Sequence, residues 1–297
     1  MALGNFDGVH RGHRALLSDA ARQARERDKP FAALVFEPYP REFFRPDAEP
    51  FRLTPFRAKA RLLAELGLDW LIVLQFDAAL ATMPAQDFVM DILVNELFIA
   101  HVVVGEDFRF GKGRAGDATV LAYMGEMEGF GVTVFPPLAA GPDTKISSSR
   151  IRAALKEGSP EEAARLLGHW WSIEGHVASG DKRGRTLGFP TANLTLEGTL
   201  QPAFGVYAVR AYVGEKRYEG MANFGRRPTF AVATPLFEAH LFDFDGDLYG
   251  QLLRVELLAY LRPEIRFDNS DALKSQLTAD AETAKKILAA RDTAPAI

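Results

Sequence analysis

The chain has 297 residues, which is the length of one large domain or two ordinary ones. Its net charge of −4, from 35 basic and 39 acidic residues, argues against a general nucleic-acid-binding protein, so we expect no nucleic-acid partner. The chain has no cysteine, which excludes disulfides and a thiol nucleophile and fits a cytoplasmic location. No apolar run approaches the ~20 residues of a membrane span, so we expect no membrane partner.

The first informative segment is Gly4-Asn5-Phe6-Asp7-Gly8-Val9-His10-Arg11-Gly12-His13. It predicts a strand–loop–helix corner in which His10 and His13 share a face of the first helical turn. The N–H groups and partial positive charge of a helix N-terminus suit a phosphate, and Gly8 and Gly12 allow close approach of the backbone. The alternative is a pair of surface histidines beside a glycine turn. The flanking glycines favour the phosphate site.

Up to about residue 168, short apolar runs alternate with helical periods. Strands are predicted at 31–36, 70–74, 101–105 and 132–135, and helices at 12–27, 57–66, 84–98 and 117–128. This alternation predicts a parallel sheet with helices on both faces. Ligands of such sheets bind beyond the carboxyl ends of the strands, so we expect the histidine corner at that edge.

Three further segments of this half have the composition of ligand-binding loops. Residues 105–114 combine aromatic rings, three glycines and three basic residues. The aromatic rings could stack on a planar ligand while the basic residues bind its phosphate; the alternative is an exposed basic turn. Residues 146–152 open a helix with serines, and Arg150 can bind phosphate bidentately; the alternative is an ordinary capped helix. The aromatic residues around Phe44 line a pocket or form core.

From about residue 169 the pattern becomes β-rich. Strands are predicted at 172–178, 206–212, 217–223, 236–242 and 252–260, followed by one strong helix at about 271–290. A small barrel with a C-terminal helix fits this pattern. The domain boundary is predicted between residues 168 and 169.

Three features of the second half carry possible chemistry. Residues 180–193 form a glycine-rich basic segment that suits a triphosphate, and Thr191 and Asn193 offer oxygen ligands for Mg²⁺; the alternative is a hairpin loop. Glu238 and His240 share one face of a strand, where Glu238 can accept a proton from an alcohol or, alternatively, pair with an arginine at the barrel rim. Residues 223–230 are predicted to form a rigid loop that could line one side of a binding site for a flat ligand; the alternative is a plain connection between two strands.

In combination, these segments resemble the bacterial bifunctional riboflavin kinase/FAD synthetase family over almost the whole chain. The first half carries the resemblance in 10–13, 105–114 and 146–152, and the second half in 184–193, 227–230, Glu238 and 247–250. The resemblance implies an α/β, Rossmann-like nucleotidylyltransferase domain at 1–168, acting as an FMN adenylyltransferase. It also implies a six-stranded-type β-barrel riboflavin kinase domain with a C-terminal helix at 169–297.

The resemblance implies two reactions, phosphorylation of riboflavin by ATP to FMN and transfer of AMP from ATP to FMN, which gives FAD and pyrophosphate. It implies Mg²⁺ as cofactor, small molecules as partners, and a cytoplasmic monomer or weak homo-oligomer. The implied ATP-binding residues of the adenylyltransferase are Gly4, Phe6, Gly8, His10, His13, Ser147, Ser148 and Arg150, and its implied flavin-binding residues are Phe44, Asp107, Phe108 and Arg109.

The same resemblance implies the residues of the kinase. ATP would contact Gly180, Lys182, Gly184, Thr186, Thr191 and Asn193, with Thr191 and Asn193 also holding Mg²⁺, and the flavin would contact Arg227, Pro228, Thr229 and Phe230. The implied catalytic residues are Glu238 in the kinase and His10, His13 and Arg150 in the adenylyltransferase.

Two departures from the family pattern lead to alternatives. Only Met1-Ala2-Leu3 precede Gly4, where the family has a longer segment, so the alternative function is a riboflavin kinase with an impaired adenylyltransferase. Asp107 stands where several relatives carry asparagine. A flavin-responsive regulatory protein on the same scaffold is a further alternative, but it gives no role to the catalytic-looking residues of both halves. A nucleotidylyltransferase for another substrate would explain the first half but not the second.

Overall fold

A computed structural model describes residues 1–139, 141, 145–178, 188–196, 198–226 and 235–291. The chain folds as two units. The first unit contains residues 1–49 and 54–147, and the second contains residues 50–53 and those from 148 onward.

The first unit is built on a five-stranded parallel sheet with the strand order β3-β2-β1-β4-β7. Its elements are β1 (Ala2–Leu3), α1 (Arg11–Glu26), β2 (Ala32–Glu37), α2 (Pro40–Phe44), α3 (Phe56–Ala64), β3 (Trp70–Gln75), α4 (Ala78–Thr82), α5 (Ala85–Asp87), β4 (His101–Gly105), β5 (Arg109–Phe110), β6 (Gly116–Asp117), α6 (Ala118–Glu128) and β7 (Gly131–Phe135).

Helices cover both faces of this sheet, which confirms the predicted architecture. On one face, α1 and α3 pack Leu17 and Leu63 against inward-facing residues such as Val35. On the other face, Leu93 and Leu121 pack against the alternate strand residues, such as Leu34, whose side chains point to the opposite side of the sheet. The period-2 alternation of the strands therefore supplies one core to each helical layer.

Strand β1 has only two residues, yet it lies at the centre of the sheet. Ala2 pairs with Ala33 of β2 and with Val103 of β4, and both Ala2 and Leu3 are buried. The chain proceeds from β1 to β2 on one side, and β4 lies on the other side. The topological switch point, where ligands of such sheets bind, is therefore the carboxyl end of β1 and β4.

One helix differs from its prediction at 84–98. The observed α-helical turn Ala85–Asp87 is followed by a π-helical segment, Phe88–Glu96. Its buried residues are Phe88, Val89, Ile92 and Leu93, so the two buried pairs are four positions apart. The segment has backbone bonds of the wider π turn, such as that from Leu97 N–H to Ile92 O, and it keeps one face on the sheet.

The second unit contains a six-stranded antiparallel sheet with the order β8-β13-β10-β11-β12-β9. Its elements are α7 (Ser148–Lys156), α8 (Pro160–Leu167), β8 (Ser172–His176), β9 (Ala192–Leu194), β10 (Gly205–Val213), β11 (Lys216–Arg226), β12 (Pro235–Leu241), β13 (Leu252–Arg262) and α9 (Ser270–Ala289).

The two edges of this sheet approach each other, so it forms a nearly closed barrel. The Ala178 N–H, just after β8, donates to the Asn193 carbonyl in β9 over 3.0 Å. The sequence predicts the other five strands but not β9, because three residues are too few for a period-2 pattern.

The predicted C-terminal helix is observed as α9, with Asn269 as its N-cap. Ala284 and Leu288 are buried against a face of the sheet that includes Met221. No helix in the described part of the chain is long and apolar enough to cross a membrane.

Candidate active sites

The turn between β1 and α1 has an unusual backbone that is fixed by buried hydrogen bonds. Phe6, Gly8 and Val9 have φ angles of +47°, +85° and +41°. The Thr54 hydroxyl accepts from the Gly8 N–H over 3.0 Å and donates to Asp7 Oδ1 over 3.3 Å, and the Thr54 N–H donates to the same carboxylate over 3.0 Å. Left-handed φ at non-glycine residues is costly, so these bonds hold a turn that the chain would not adopt alone.

His10 and His13 lie together at the N-terminus of α1, as their spacing predicts. His10 is the N-cap, and its Nδ1 accepts from the His13 N–H over 3.2 Å, which leaves the proton of a neutral His10 ring on Nε2. The two rings stack with centroids 3.6 Å apart, and Phe6 meets His13 edge-on at 5.4 Å. A Cβ atom at Gly4 would lie only 3.1 Å from the Phe6 ring, so a glycine at this position makes room for the ring.

The environment of His13 favours the neutral imidazole. Burial lowers the pKa of His13 well below its usual value, and repulsion from His10 and Lys59 lowers it further. Within the described residues, the buried Nδ1 of His13 has no hydrogen-bond partner. A neutral ring at a helix N-terminus suits hydrogen bonding to a phosphate rather than a permanent ion pair.

Lys59 and Glu37 belong to this neighbourhood, although neither is predicted as a site residue from the sequence. Lys59 is 1% exposed, and its Nζ lies 3.0 Å from Glu37 Oε1 at the carboxyl end of β2. The available signal was a lysine on the same helix face as Leu62 and Leu63, where an amphipathic helix is normally apolar. Asp7 and Thr54 were also missed as a pair because 47 residues separate them.

The residues of the predicted serine segment fall in both units. Ser147 ends the first unit, whereas Ser148 begins α7 and belongs to the second with Arg150. The exposed Arg150 forms an ion pair with Glu162 at 3.5 Å. Contact of Ser147, Ser148 and Arg150 with ATP stays a prediction.

The two aromatic flavin candidates stand at the ends of a continuous series of ring contacts. Phe44, which is 64% exposed, has its ring centroid 5.8 Å from that of Phe76, and Phe108 stacks on Phe110 at 5.6 Å. Contacts of 6.0, 6.3 and 5.5 Å through Phe36 and Phe88 connect the two pairs. Phe36, Phe88 and Phe110 in the middle of the row are buried in the core, so ring surface is accessible mainly at Phe44 and at the half-buried Phe108.

Asp107 faces a cation. Its Oδ2 lies 2.9 Å from Lys145 Nζ, and this hydrogen bond lowers the pKa of the Asp107 carboxyl. Arg109 donates to the Phe108 carbonyl over 2.8 Å. The ion pair neutralises the charge by which a carboxylate would repel a phosphate. Flavin binding by Asp107, Phe108 and Arg109 stays a prediction.

In the barrel, strand register aligns three polar residues. Asn193 of β9 pairs with Glu238 of β12, which pairs on its other side with Asn223 of β11. Directly opposed residues of neighbouring strands project to the same face. Glu238 is half-buried, so its carboxylate lies within a row of amide side chains rather than among apolar ones.

Asn193 and Thr191 offer oxygen atoms close to Glu238. Asn193 is buried, and its Oδ1 has no hydrogen-bond partner in the part of the chain that the structure describes. Thr191 is half-buried and lies two residues earlier. An orphaned amide oxygen, with a threonine hydroxyl two residues earlier in the chain, fits Mg²⁺, which takes few protein ligands when phosphates and waters supply the rest.

Eight predicted site residues lie outside the described residues. They are Gly180, Lys182, Gly184 and Thr186 for kinase ATP binding, and Arg227, Pro228, Thr229 and Phe230 for kinase flavin binding. Their roles stay predictions. No group of three or more acidic, histidine or cysteine side chains that would hold a metal occurs within residues 1–139, 141, 145–178, 188–196, 198–226 and 235–291.

Comparison with known proteins gives two family matches in chain order. The FAD synthetase family profile matches residues 1–150, and the riboflavin kinase profile matches residues 167–288. The bifunctional riboflavin kinase/FMN adenylyltransferase of Escherichia coli (strain K12) is 44% identical over 287 residues, which cover 96% of this chain and 91% of the relative. The protein of the same description from Haemophilus influenzae is 40% identical over 286 residues, covering 96% and 92%.

A solved structure is also similar over nearly the whole chain. It is described as a macrolide-efflux protein from Streptococcus pneumoniae, with a TM-score of 0.85, 34% identity, and coverage of 96% of this chain and 93% of that one. The two profiles match the parts of the chain that contain the parallel sheet and the barrel, and the solved structure covers both. The chain belongs to the bifunctional riboflavin kinase/FMN adenylyltransferase family.

Proposed function

We propose that the parallel-sheet unit transfers AMP from ATP to FMN, and that the barrel phosphorylates riboflavin. The observation that carries this assignment is the order of the two family matches, which follows the order of the two folds. Homologues with both domains support the bifunctional enzyme over a kinase alone.

Adenylyl transfer starts from a phosphate oxygen that is already anionic, so it requires alignment and charge stabilisation rather than a strong base. An FMN phosphate oxygen forms a bond to the α-phosphorus of ATP, and the bond to pyrophosphate breaks. The neutral His13 and the His10 N-cap support this assignment because both lie at a helix N-terminus. The turn residues Gly4, Phe6 and Gly8 would bind ATP there, together with Ser147, Ser148 and Arg150.

The flavin of this first reaction would lie near Phe44 and Phe108, the accessible rings of the aromatic row. Phe44 and Phe108 offer ring faces, and Arg109 offers charge. Asp107, with its charge compensated by Lys145, would serve the ring or the ribityl chain rather than the phosphate.

Riboflavin phosphorylation starts from a neutral alcohol of high pKa, so a carboxylate is required to accept or orient its proton. In the proposed reaction, Glu238 receives the proton of the terminal ribityl hydroxyl. The ribityl oxygen forms a bond to the γ-phosphorus, and the bond to ADP breaks. Alignment of Glu238 between Asn193 and Asn223 supports this role.

Thr191 and Asn193 would hold Mg²⁺ and the ATP phosphates. When bound, Mg²⁺ neutralises charge on the transferred phosphoryl group. Gly180, Lys182, Gly184 and Thr186 would complete the ATP site, and the segment Arg227-Pro228-Thr229-Phe230 would bind the flavin.

We assign the two domains to residues 1–168 and 169–297, since the left-handed Gly168 ends α8 just before the first barrel strand. The compact units divide earlier, between residues 147 and 148, because α7 and α8 form one unit with the barrel. We place the enzyme in the cytoplasm as a monomer or weak homo-oligomer. The absence of cysteine supports a reducing compartment.

Incubation with riboflavin, ATP and Mg²⁺, followed by chromatography of the flavins, tests the function. We expect FMN to appear first and FAD to follow. Folded protein that forms neither product would overturn the assignment, and FMN without FAD would select the kinase alone.

A further inference from the structure

His240 has no part in the reactions described so far, although it lies two residues after Glu238 on the same face of β12. Its ring contacts the segment that leads into β9. The ring centroid lies 5.1 Å from that of Phe189, edge-on, and 5.7 Å from that of Phe242. His240 therefore connects the strand that carries Glu238 to the residues just before Thr191.

The polar contact of His240 fixes its tautomer. The distance from His240 Nδ1 to the Pro190 carbonyl oxygen is 2.8 Å. Because a carbonyl oxygen only accepts, Nδ1 carries the proton and donates it to this bond. Burial lowers the pKa of His240, the hydrogen bond to Pro190 partly offsets this by raising it, and Lys285 lowers it further; the net lowering favours the neutral ring.

This side-chain hydrogen bond lies just beyond the end of the backbone pairing between β9 and β12. The pairing of β9 with β12 runs from Leu194 and Phe237 to Ala192 and Ala239. The next pair in this antiparallel register would place Thr191 opposite His240, but the ladder between these two described residues is not continued. The imidazole reaches the Pro190 carbonyl at this position instead.

The Pro190 carbonyl belongs to the same planar peptide group as the Thr191 nitrogen. Fixing that carbonyl restricts the rotation of the peptide plane and therefore the direction of the Thr191 Cα–Cβ bond. A group that positions phosphates must be held within a fraction of an ångström of its productive place. A restraint on the Thr191 side-chain direction would therefore help to position the phosphates.

We propose that His240 is a positioning residue of the kinase, whose Nδ1–H bond to the Pro190 carbonyl orients Thr191 toward the ATP phosphates. This inference rests on the proposed function of Thr191 and Asn193 as the ATP and Mg²⁺ site. The proposed bond explains how the three-residue edge strand β9 can hold Thr191 and Asn193 in one fixed geometry.

Two substitutions separate the hydrogen bond from ring packing. His240→Phe keeps an aromatic ring but removes the donor, whereas His240→Asn places an N–H donor at the same number of bonds from Cβ and removes the ring. Loss of the hydrogen bond to the Pro190 carbonyl predicts a KM for MgATP about threefold to tenfold higher in His240→Phe. The riboflavin KM should be unchanged, and His240→Asn should stay within about twofold of wild type.

The chain provides two controls. His176 Nδ1 lies 3.0 Å from the Gly250 carbonyl in the same barrel, so His176→Phe removes a bond of the same kind and should leave the MgATP KM unchanged. Conversion of FMN to FAD by the same sample should also be unchanged. His240→Leu is a second variant without the donor, for use if His240→Phe lowers the thermal unfolding temperature.

A wild-type MgATP KM in a folded donor-free variant, or equal impairment of His240→Phe and His240→Asn, would overturn the inference. Asn193→Ala separates this failure from that of the proposed function. If Asn193→Ala impairs the kinase while His240→Phe does not, only the inference on His240 fails. If Asn193→Ala is as active as wild type, the proposed ATP and Mg²⁺ site itself is wrong.

Discussion

The two units assemble their candidate sites in different ways. In the parallel-sheet unit, one local turn before α1 brings His10 and His13 together, and side chains distant in sequence hold that turn. In the barrel, the register of three strands aligns Asn193, Glu238 and Asn223. The difference matches the chemistry, because an anionic nucleophile requires an electropositive turn, whereas an alcohol requires a placed carboxylate.

The largest expected effect comes from Glu238→Gln, which keeps the shape of the side chain and removes its basicity. We expect riboflavin phosphorylation to fall by about 10²- to 10³-fold, the range of a lost general base. FMN adenylylation by the same sample should be unchanged. Initial rates of FMN and FAD formation, measured by chromatography, check this result.

Glu219→Gln on β11 is a matched control for a barrel carboxylate and should retain kinase activity. Equal kinase rates for Glu238→Gln and wild type would show that the barrel does not use Glu238 as its base.

The reciprocal experiment is His13→Asn in the parallel-sheet unit. Removing a preorganised group from the phosphate site is expected to lower FMN adenylylation by about 10²-fold. Riboflavin phosphorylation should persist, so FMN accumulates. A parallel loss of both activities would contradict the independence of the two sites.

A smaller effect is expected from Thr54→Val, which preserves volume but removes the hydroxyl between Gly8 and Asp7. A buried N–H and a carboxylate then lose a partner, which costs about 1–3 kcal/mol in the free energy of unfolding. Urea denaturation measures this change.

Thr82→Val is its control, since the exposed Thr82 hydroxyl donates only to carbonyls of its own helix. We expect Thr82→Val to unfold at the wild-type urea concentration. If Thr54→Val does the same, the Asp7–Thr54 contacts do not hold the turn.

The smallest effect concerns pH. Because the pKa of His13 is lowered in the folded protein, the unfolded chain binds a proton near its ordinary value while the folded chain does not. Stability therefore falls as the pH decreases below about 6.5, by no more than about 1.4 kcal/mol per pH unit for one group. The urea midpoint at pH 7.5 and 5.5 should change less in His13→Asn than in wild type; an equal change would contradict a neutral His13.

Several particular elements could be read from the sequence because their signals are local. The histidine spacing predicts a shared face at a helix N-terminus, and the rings do stack there. The long strands and α9 carry clear periodicity and lie within a few residues of their predicted positions. Strand β9 was missed, and the helix predicted at 84–98 was expected to be α-helical throughout rather than π-helical from Phe88 to Glu96. Both differences depend on packing partners rather than on the pattern of the segment itself.

By itself, the sequence determined the order of a parallel α/β half and a β-rich half and the two sets of motifs, since periodicity and turn chemistry are local properties. Only the tertiary structure decided which distant groups meet. It joined Thr54 to Asp7, buried Lys59 against Glu37, and set Asn193 opposite Glu238. The last contact depends on strand register, and the first two depend on how the chain before and within α3 packs against the sheet. Such packing arises from burial of whole faces, so single positions carry little sign of it beyond a lysine on an otherwise apolar helix face.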